Sequence, residues 1–206
     1  MLGAAVRTIG KVLRVAGHFL YEKREFYFCE ADCSAGIPDV DTRLPVEVRV
    51  ADVRDLSLFH GIAPRRKVRE FKARLARREI GIIALRDGRI ASYVWLTPND
   101  HEDRWLNITV RLDHDECVGY DAYTHPDFRK KGIRGVLHAE ERRRALECNR
   151  PKLLFWLDKR IYHRAVAAWG RIGLSQRLIG EIVSRRILGV LKLASVSRDD
   201  EVVNSG

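Results

Sequence analysis

The stretch 116–147, ECVGYDAYTHPDFRKKGIRGVLHAEERRRALE, constrains the chain most, because it reads as strand, loop and helix with little slack between them. Residues 117–124 carry Val, Tyr, Ala, Tyr and Thr, side chains that suit a pleated surface. Pro126 ends that run and presets the loop. Asp127 is placed to cap a helix. From Phe128 on, Ile133, Val136, Leu137, Ala139 and Leu146 fall mainly on one helical face, with charges between them.

The chemistry concentrates at the join. Arg129, Lys130 and Lys131 precede Gly132, and Gly135 follows. The first turn of a helix carries N–H groups with no partner inside the helix, which makes a ready anion site. Gly132 has no Cβ, so a phosphate can approach its backbone. A helix start prefers negative charge, so three cations there indicate that an anion is expected. A solvated basic helix start is the competing reading.

In strand, loop and helix together, this stretch resembles motif A of the GNAT N-acetyltransferase superfamily, Arg/Gln-x-x-Gly-x-Gly/Ala after a strand. Arg129 and Gly132 match the first and fourth positions. The sixth holds Arg134 in place of a small residue, and Gly135, one step on, is expected to take over the close approach. A looser likeness to motif B follows: Ala165, Gly173 and Leu174 fit its spacing, Tyr162 stands where Asn is usual, and Trp169 where Tyr is usual. The resemblance covers 45–196. It implies a mixed α/β GNAT fold, with a twisted, mostly antiparallel central sheet flanked by helices, here with an N-terminal helical extension.

The resemblance also implies a reaction: an amine attacks acetyl-CoA, or another acyl-CoA, directly in a ternary complex. The pyrophosphate is then expected at the amides of Arg129, Lys130, Lys131, Gly132, Ile133, Arg134 and Gly135. The pantetheine arm is expected alongside Ala122, Tyr123 and Thr124. A backbone N–H near Ala122 or Tyr123 would polarise the carbonyl. A lysine-like amine has a pKa of about 10.4, so a general base, directly or through water, would help. Asp121 and Glu116 are the best-placed carboxylates by sequence, although Asp121 alternates with Ala122 and so points to the other face of the strand; His125 is a third candidate. The family often uses Tyr to protonate the leaving thiolate. The Trp169 indole cannot do so, which leaves Tyr162, one or two turns away, or water.

The bulk numbers bound the partners without choosing among them. With 38 Lys and Arg against 28 Asp and Glu in 206 residues, the net charge is +10. That favours CoA, an acidic carrier protein, membrane headgroups or nucleic acid. The glycine–aromatic motif of common RNA-binding sheets is lacking, which argues against nucleic acid. Four scattered cysteines make no disulfide framework, and Cys29-x-x-x-Cys33 lacks companions for a metal, so no metal is expected. Reduced thiols and a cytoplasmic location follow. Two readings compete with acetyl transfer: a long-chain acyltransferase fed by acyl-CoA or acyl carrier protein, and a non-catalytic basic module for membrane or RNA.

Residues 1–27 read as an amphipathic helix, with Arg7, Lys11 and Arg14 on one face. Docking on its own domain or dimer formation is its commoner use; peripheral attachment to a membrane is the alternative. Those charges argue against a secretory segment. Residues 21–28 read as an edge element and 29–44 as linker, so the division is 1–44 extension, 45–197 catalytic domain and 198–206 frayed tail.

Within the domain, 46–50 alternates as a strand and 52–59 begins a helix. Residues 65–78 form a basic helix with Val68, Phe71 and Leu75 inside and its cations in water, a face that could also meet an acidic partner. Asp87-Gly88 between apolar runs signals a hairpin. Residues 98–103 read as a polar loop, 105–112 as a strand, 152–157 as a buried strand, 160–172 as a helix ended by Gly173, and 178–196 as strand. The acidic loops at 98–103 and 113–116 could draw in a cationic amine, although solvated hairpin tips are the safer reading.

Overall fold

Asp87 and Gly88 take φ of +50° and +71°. Two consecutive positive angles give the turn whose twist matches that of paired strands, so the Asp-Gly signal becomes a tight hairpin. It joins two of the ten strands in this computed structural model, which describes residues 21–187 and 191–198. The strands are β1 (Tyr21–Asp32), β2 (Glu47–Val50), β3 (Ile80–Arg86), β4 (Arg89–Thr97), β5 (His101–Asp103), β6 (Ile108–Val110), β7 (Glu116–Thr124), β8 (Lys152–Asp158), β9 (Arg177–Ile187) and β10 (Leu191–Arg198). The described helices are α1 (Leu56–Phe59), α2 (Arg65–Ala76), α3 (Ile133–Glu147) and α4 (Lys159–Gly170). The N-terminal helix expected at 1–27 falls mainly outside the described residues.

Eight strands form one sheet in the order β10-β9-β1-β8-β7-β4-β3-β2, and β5 pairs with β6 as a separate hairpin. Every neighbouring pair in the large sheet is antiparallel except β7 with β8. Helix α3 joins that parallel pair, as a parallel connection requires a long crossover.

Alternation along β4 sorts the core. Tyr93 and Trp95 point to the face covered by α1 and α2, where Phe71 meets Phe59, Tyr93 and Trp95 with ring centroids 4.7, 5.3 and 5.3 Å apart. Val94 points to the opposite face, against Ile133 and Leu137 of α3. Helix α4 lies on that second face too, placing Trp169 with Cys29 and Phe155. The β5–β6 hairpin covers Phe26, Phe28, Val118 and Leu154 on the first face.

Four sequence expectations are corrected here. Residues 21–32 form no edge element: β1 runs between β8 and β9, with Cys29 and Ala31 fully buried. Its partners lie far along the chain (Phe28 faces Trp156 on one side and Gly180 on the other), which no local pattern reveals. Arg74 does not face water on the basic helix but is 5% exposed. The loop at 98–103 contains β5. Arg198 is no frayed residue but ends β10, where its guanidinium pairs with Glu116.

Candidate functional site

Strands β7 and β8 pair only at Glu116↔Lys152, Cys117↔Leu153 and Val118↔Leu154. Beyond Val118 they part, although each keeps its other neighbour. β8 stays on β1 as far as Asp158↔Phe26, and β7 stays on β4 as far as Thr124↔Ser92. On β7 the pairing steps from Trp95↔Tyr120 to Tyr93↔Tyr123, so Asp121 and Ala122 together oppose Val94. Asp121 takes φ +51°, the mark of a bulge, and the bulge bends β7 away from β8. The backbone edge of 120–124 that faces β8 therefore has no strand partner.

The wedge opens into a groove of about 1900 Å³ lined by Tyr120, Asp121, Ala122, Tyr123 and Thr124 on one side and Phe155, Trp156 and Leu157 on the other. Its far end is the loop before α3. There the helix starts later than Phe128: Pro126–Phe128 is a 3-10 turn capped by His125, and Gly132, not Asp127, is the N-cap of α3. Lys130 and Gly132 take φ of +61° and +87°. Among the described residues, the N–H groups of Lys130, Lys131, Gly132, Ile133 and Arg134 carry no hydrogen bond. Such a run of amides at a left-handed turn and a helix start is an anion cradle.

Arg129, Lys130, Lys131, Gly132, Ile133, Arg134 and Gly135 all line the groove beside Ala122, Tyr123 and Thr124, so the residues expected to hold a cofactor come together. Their side chains divide the work differently from the expectation. Ile133 is buried against Ile82 and Leu137, so it can offer only its N–H. Arg129 Nε donates to Thr124 O at 3.1 Å and ties loop to strand. Arg134 turns inward to Glu141 at 2.6 Å. Gly135 N–H donates to Gly132 O at 2.9 Å, and a Cβ there would lie 2.8 Å from Ile172 Cδ1, so its bareness lets the turn after α4 pack.

The supposed linker forms another wall. Arg43 N–H donates to Lys131 O at 3.1 Å, and Val40, Asp41 and Arg43 line the groove. Among the described residues Arg43, Lys130, Lys131, Arg164 and Arg171 have no ion pair, and all five line it. No local pattern in the sequence marks Arg43, Arg164 and Arg171, because distant segments of the chain bring them to the loop before α3.

The three catalytic candidates separate. Asp121 lies in the groove, but its Oδ2 is held by Arg74 at 2.6 Å and Lys67 at 2.7 Å, which anchors the bulge to α2. Glu116 is 1% exposed at the opposite end of β7, paired with Arg198 and accepting from Asp113 N–H at 3.0 Å. It cannot reach an amine in the wedge. Tyr162 is half-buried and packs edge-on against Tyr27 at 4.5 Å, outside the groove lining, so it is no acid for a thiolate there. Tyr162→Phe is expected to leave the transfer rate within about twofold, since nothing it touches reacts; a larger loss at saturating substrate would return it to the site. His125 caps its turn, Nδ1 accepting from Asp127 N–H at 3.4 Å.

Trp169 lines the groove and stacks on His138 at 4.3 Å. His138 and Glu141 are fully buried, with Nδ1 and Oε2 3.2 Å apart. Burial pushes the Glu141 carboxyl up, but Arg134 and His138 together outweigh it and hold it below its ordinary value. Burial drives the His138 imidazole down to about 4, against the upward pull of Glu141. The unfolded chain then binds the His138 proton more readily than the folded one. That share of stability is full above pH 6.5, the ordinary imidazole value, and is lost as pH falls toward about 4. The melting temperature is expected to fall across that window, and less steeply in His138→Gln; equal slopes would clear His138.

Among the described residues no helix is long and apolar enough to cross a membrane, and no group of three or more His, Cys, Asp and Glu is placed to hold a metal. No family model and no curated protein matches the chain. Solved structures do. A GNAT-family acetyltransferase from Colwellia psychrerythraea superposes with a TM-score of 0.55 at 11% identity, over 79% of this chain and 55% of that one. A putative GNAT-family acetyltransferase from Novosphingobium aromaticivorans gives 0.52 at 12%, over 79% and 63%. A Drosophila protein gives 0.52 at 17%, over 91% and 59%. The chain thus spans 55% to 63% of the length of these three structures. The sheet with its single parallel pair, the helices on both faces and these superpositions agree: the chain has the fold of the GNAT acetyltransferases.

Proposed function

We propose that the protein is an N-acetyltransferase that uses acetyl-CoA to acylate an amine. The observation that carries this reading is the unpaired edge of β7 leading into five free amides at the start of α3. An extended strand edge suits the amide-bearing pantetheine arm, as a peptide adds to a sheet. The amides and the cations of Arg43, Lys130, Lys131, Arg164 and Arg171 suit a diphosphate and a further phosphate. The residues present therefore fit the cosubstrate, which supplies an activated acyl thioester.

Within that reading the chain has two tasks. Backbone N–H groups at the bulge, at Ala122 or Tyr123, stabilise the carbonyl oxygen as charge develops on it. The walls orient the amine and exclude water. Trp169 fills the place where the family commonly has Tyr, so the thiolate leaves without help from that residue; at an ordinary thiol pKa of about 8.5 it is a fair leaving group. Calorimetric titration with acetyl-CoA, and with longer acyl-CoA chains, tests the reading. Saturable one-site binding is expected, along with a raised melting temperature. No binding of any acyl-CoA at low salt would overturn it.

A further inference from the structure

We propose that His101 is the proton acceptor for the attacking amine. This rests on the acetyl-transfer reading above. His101 opens β5, whose hairpin lies over the mouth of the wedge. Its ring centroid is 3.9 Å from that of Tyr120 and 6.0 Å from that of Trp156. Tyr120 and Trp156 each lie two residues beyond the last rung that joins β7 to β8, Val118↔Leu154. The imidazole thus spans the gap at the point where the strands part, the place that a thioester lying along β7 would reach.

The ring rests tilted against Tyr120 and stacked on Trp156. Among the described residues neither of its nitrogens has a hydrogen bond, so one is available to a substrate N–H or to an intervening water. The nearby carboxylates are engaged. Asp121 holds Arg74 and Lys67, Glu79 accepts from the Tyr120 hydroxyl and from Arg77 Nε, and Asp158 binds Arg160. The groups facing His101 are Asp103 on its own strand, Arg74 on α2, Glu79 just after α2, and Tyr120 and Asp121 on β7. Burial lowers the imidazole pKa and Arg74 adds to that; Asp103, Glu79 and Asp121 pull the other way without reversing it. A neutral imidazole at pH 7 is the form that accepts a proton.

The step balances. One proton leaves the ammonium for His101. The freed lone pair forms the C–N bond as the C–S bond breaks and its electron pair passes to sulfur. A second nitrogen proton neutralises that sulfur, and His101 returns its own proton to solvent.

The test compares the wild-type protein with His101→Gln. Calorimetry with acetyl-CoA is expected to give dissociation constants within about threefold of each other, which also shows that the variant is folded. A wild type that binds no acyl-CoA sinks the acetyltransferase reading as a whole. An imidazole resonance, assigned to His101 by its absence from the variant, is expected to be neutral at pH 7 and to move on adding acetyl-CoA. A ring that is protonated at pH 7, or indifferent to acetyl-CoA, overturns the proposal.

Transfer to ethylamine and to the weakly basic trifluoroethylamine completes the test. His101→Gln should slow the first about 100-fold at pH 7 and move the acidic limb of its kcat/KM profile up toward the ammonium's own pKa. The second amine, largely neutral already, should be slowed less than about threefold. Equal losses for both amines would make His101 merely structural. Absence of transfer to either amine by the wild type counts against this proposal and the reading beneath it.

Discussion

Gly132→Glu is expected to weaken acetyl-CoA binding by at least about 100-fold, close to 2.7 kcal/mol. Gly132 adopts φ +87°, where a side chain costs roughly 1–2 kcal/mol. Space is not the difficulty, because a Cβ there would meet Asp41 O and Thr42 Cα at 3.7 Å, ordinary contact. The binding loss comes from a negative charge placed among the amides that should face a diphosphate. Gly132→Ala separates the two effects: it carries the backbone strain without the charge, so it should lose stability but keep most of its affinity. Calorimetry on both variants checks this. Undiminished affinity in the glutamate variant would show that these amides hold no diphosphate.

Arg134→Gly restores the small residue that motif A carries at that position, and it is expected to harm the protein. Glu141 has a fully buried carboxylate whose cationic partner is Arg134, at 2.6 Å. His138 beside it is neutral through burial and cannot replace that charge. Removing one member of a buried pair costs about 3 kcal/mol, or about 6–12 °C in melting temperature for a domain of this size. Adding Glu141→Gln should recover part of the loss, because the stranded charge goes too. Affinity for acetyl-CoA should change less than about threefold, since the guanidinium turns away from the cradle. Thermal unfolding and calorimetry on the single and double variants decide it. A variant as stable as wild type that no longer bound acetyl-CoA would place Arg134 on the ligand instead.

Residues close in sequence announced themselves. Asp87-Gly88 fixed a hairpin because two residues set the turn. The step from 117–124 through Pro126 into a basic, glycine-bearing helix start located the cradle, since strand, turn and helix follow one another without a break. Gly173, whose φ of +76° closes α4, is a local signal of the same kind.

What was not legible depends on partners far along the chain. Tyr21–Asp32 looked peripheral because its neighbours, β8 and β9, come over a hundred residues later. Arg74 looked solvated because Asp121, which draws it inward, projects from a bulge that no pattern marks. Glu116 and Asp121 looked equivalent as carboxylates on one strand, yet they sit about five residues, or roughly 16 Å, apart. Tyr162 shares a helix face with the groove-lining Ala165, but its ring packs on Tyr27 of β1, a partner far along the chain, and stays outside the groove lining. His101 sat in a stretch read as loop, and its role depends on two strands parting beneath it.

On this reading the splayed edge of β7 and the amides before α3 form one continuous acyl-CoA site. Backbone amide resonances followed during a titration with acetyl-CoA test it most directly. The largest shifts are expected at 120–124 and 130–134 together, saturating with a single dissociation constant. Shifts confined to the exposed cations of α2, or shifts at the cradle with none along β7, would contradict it.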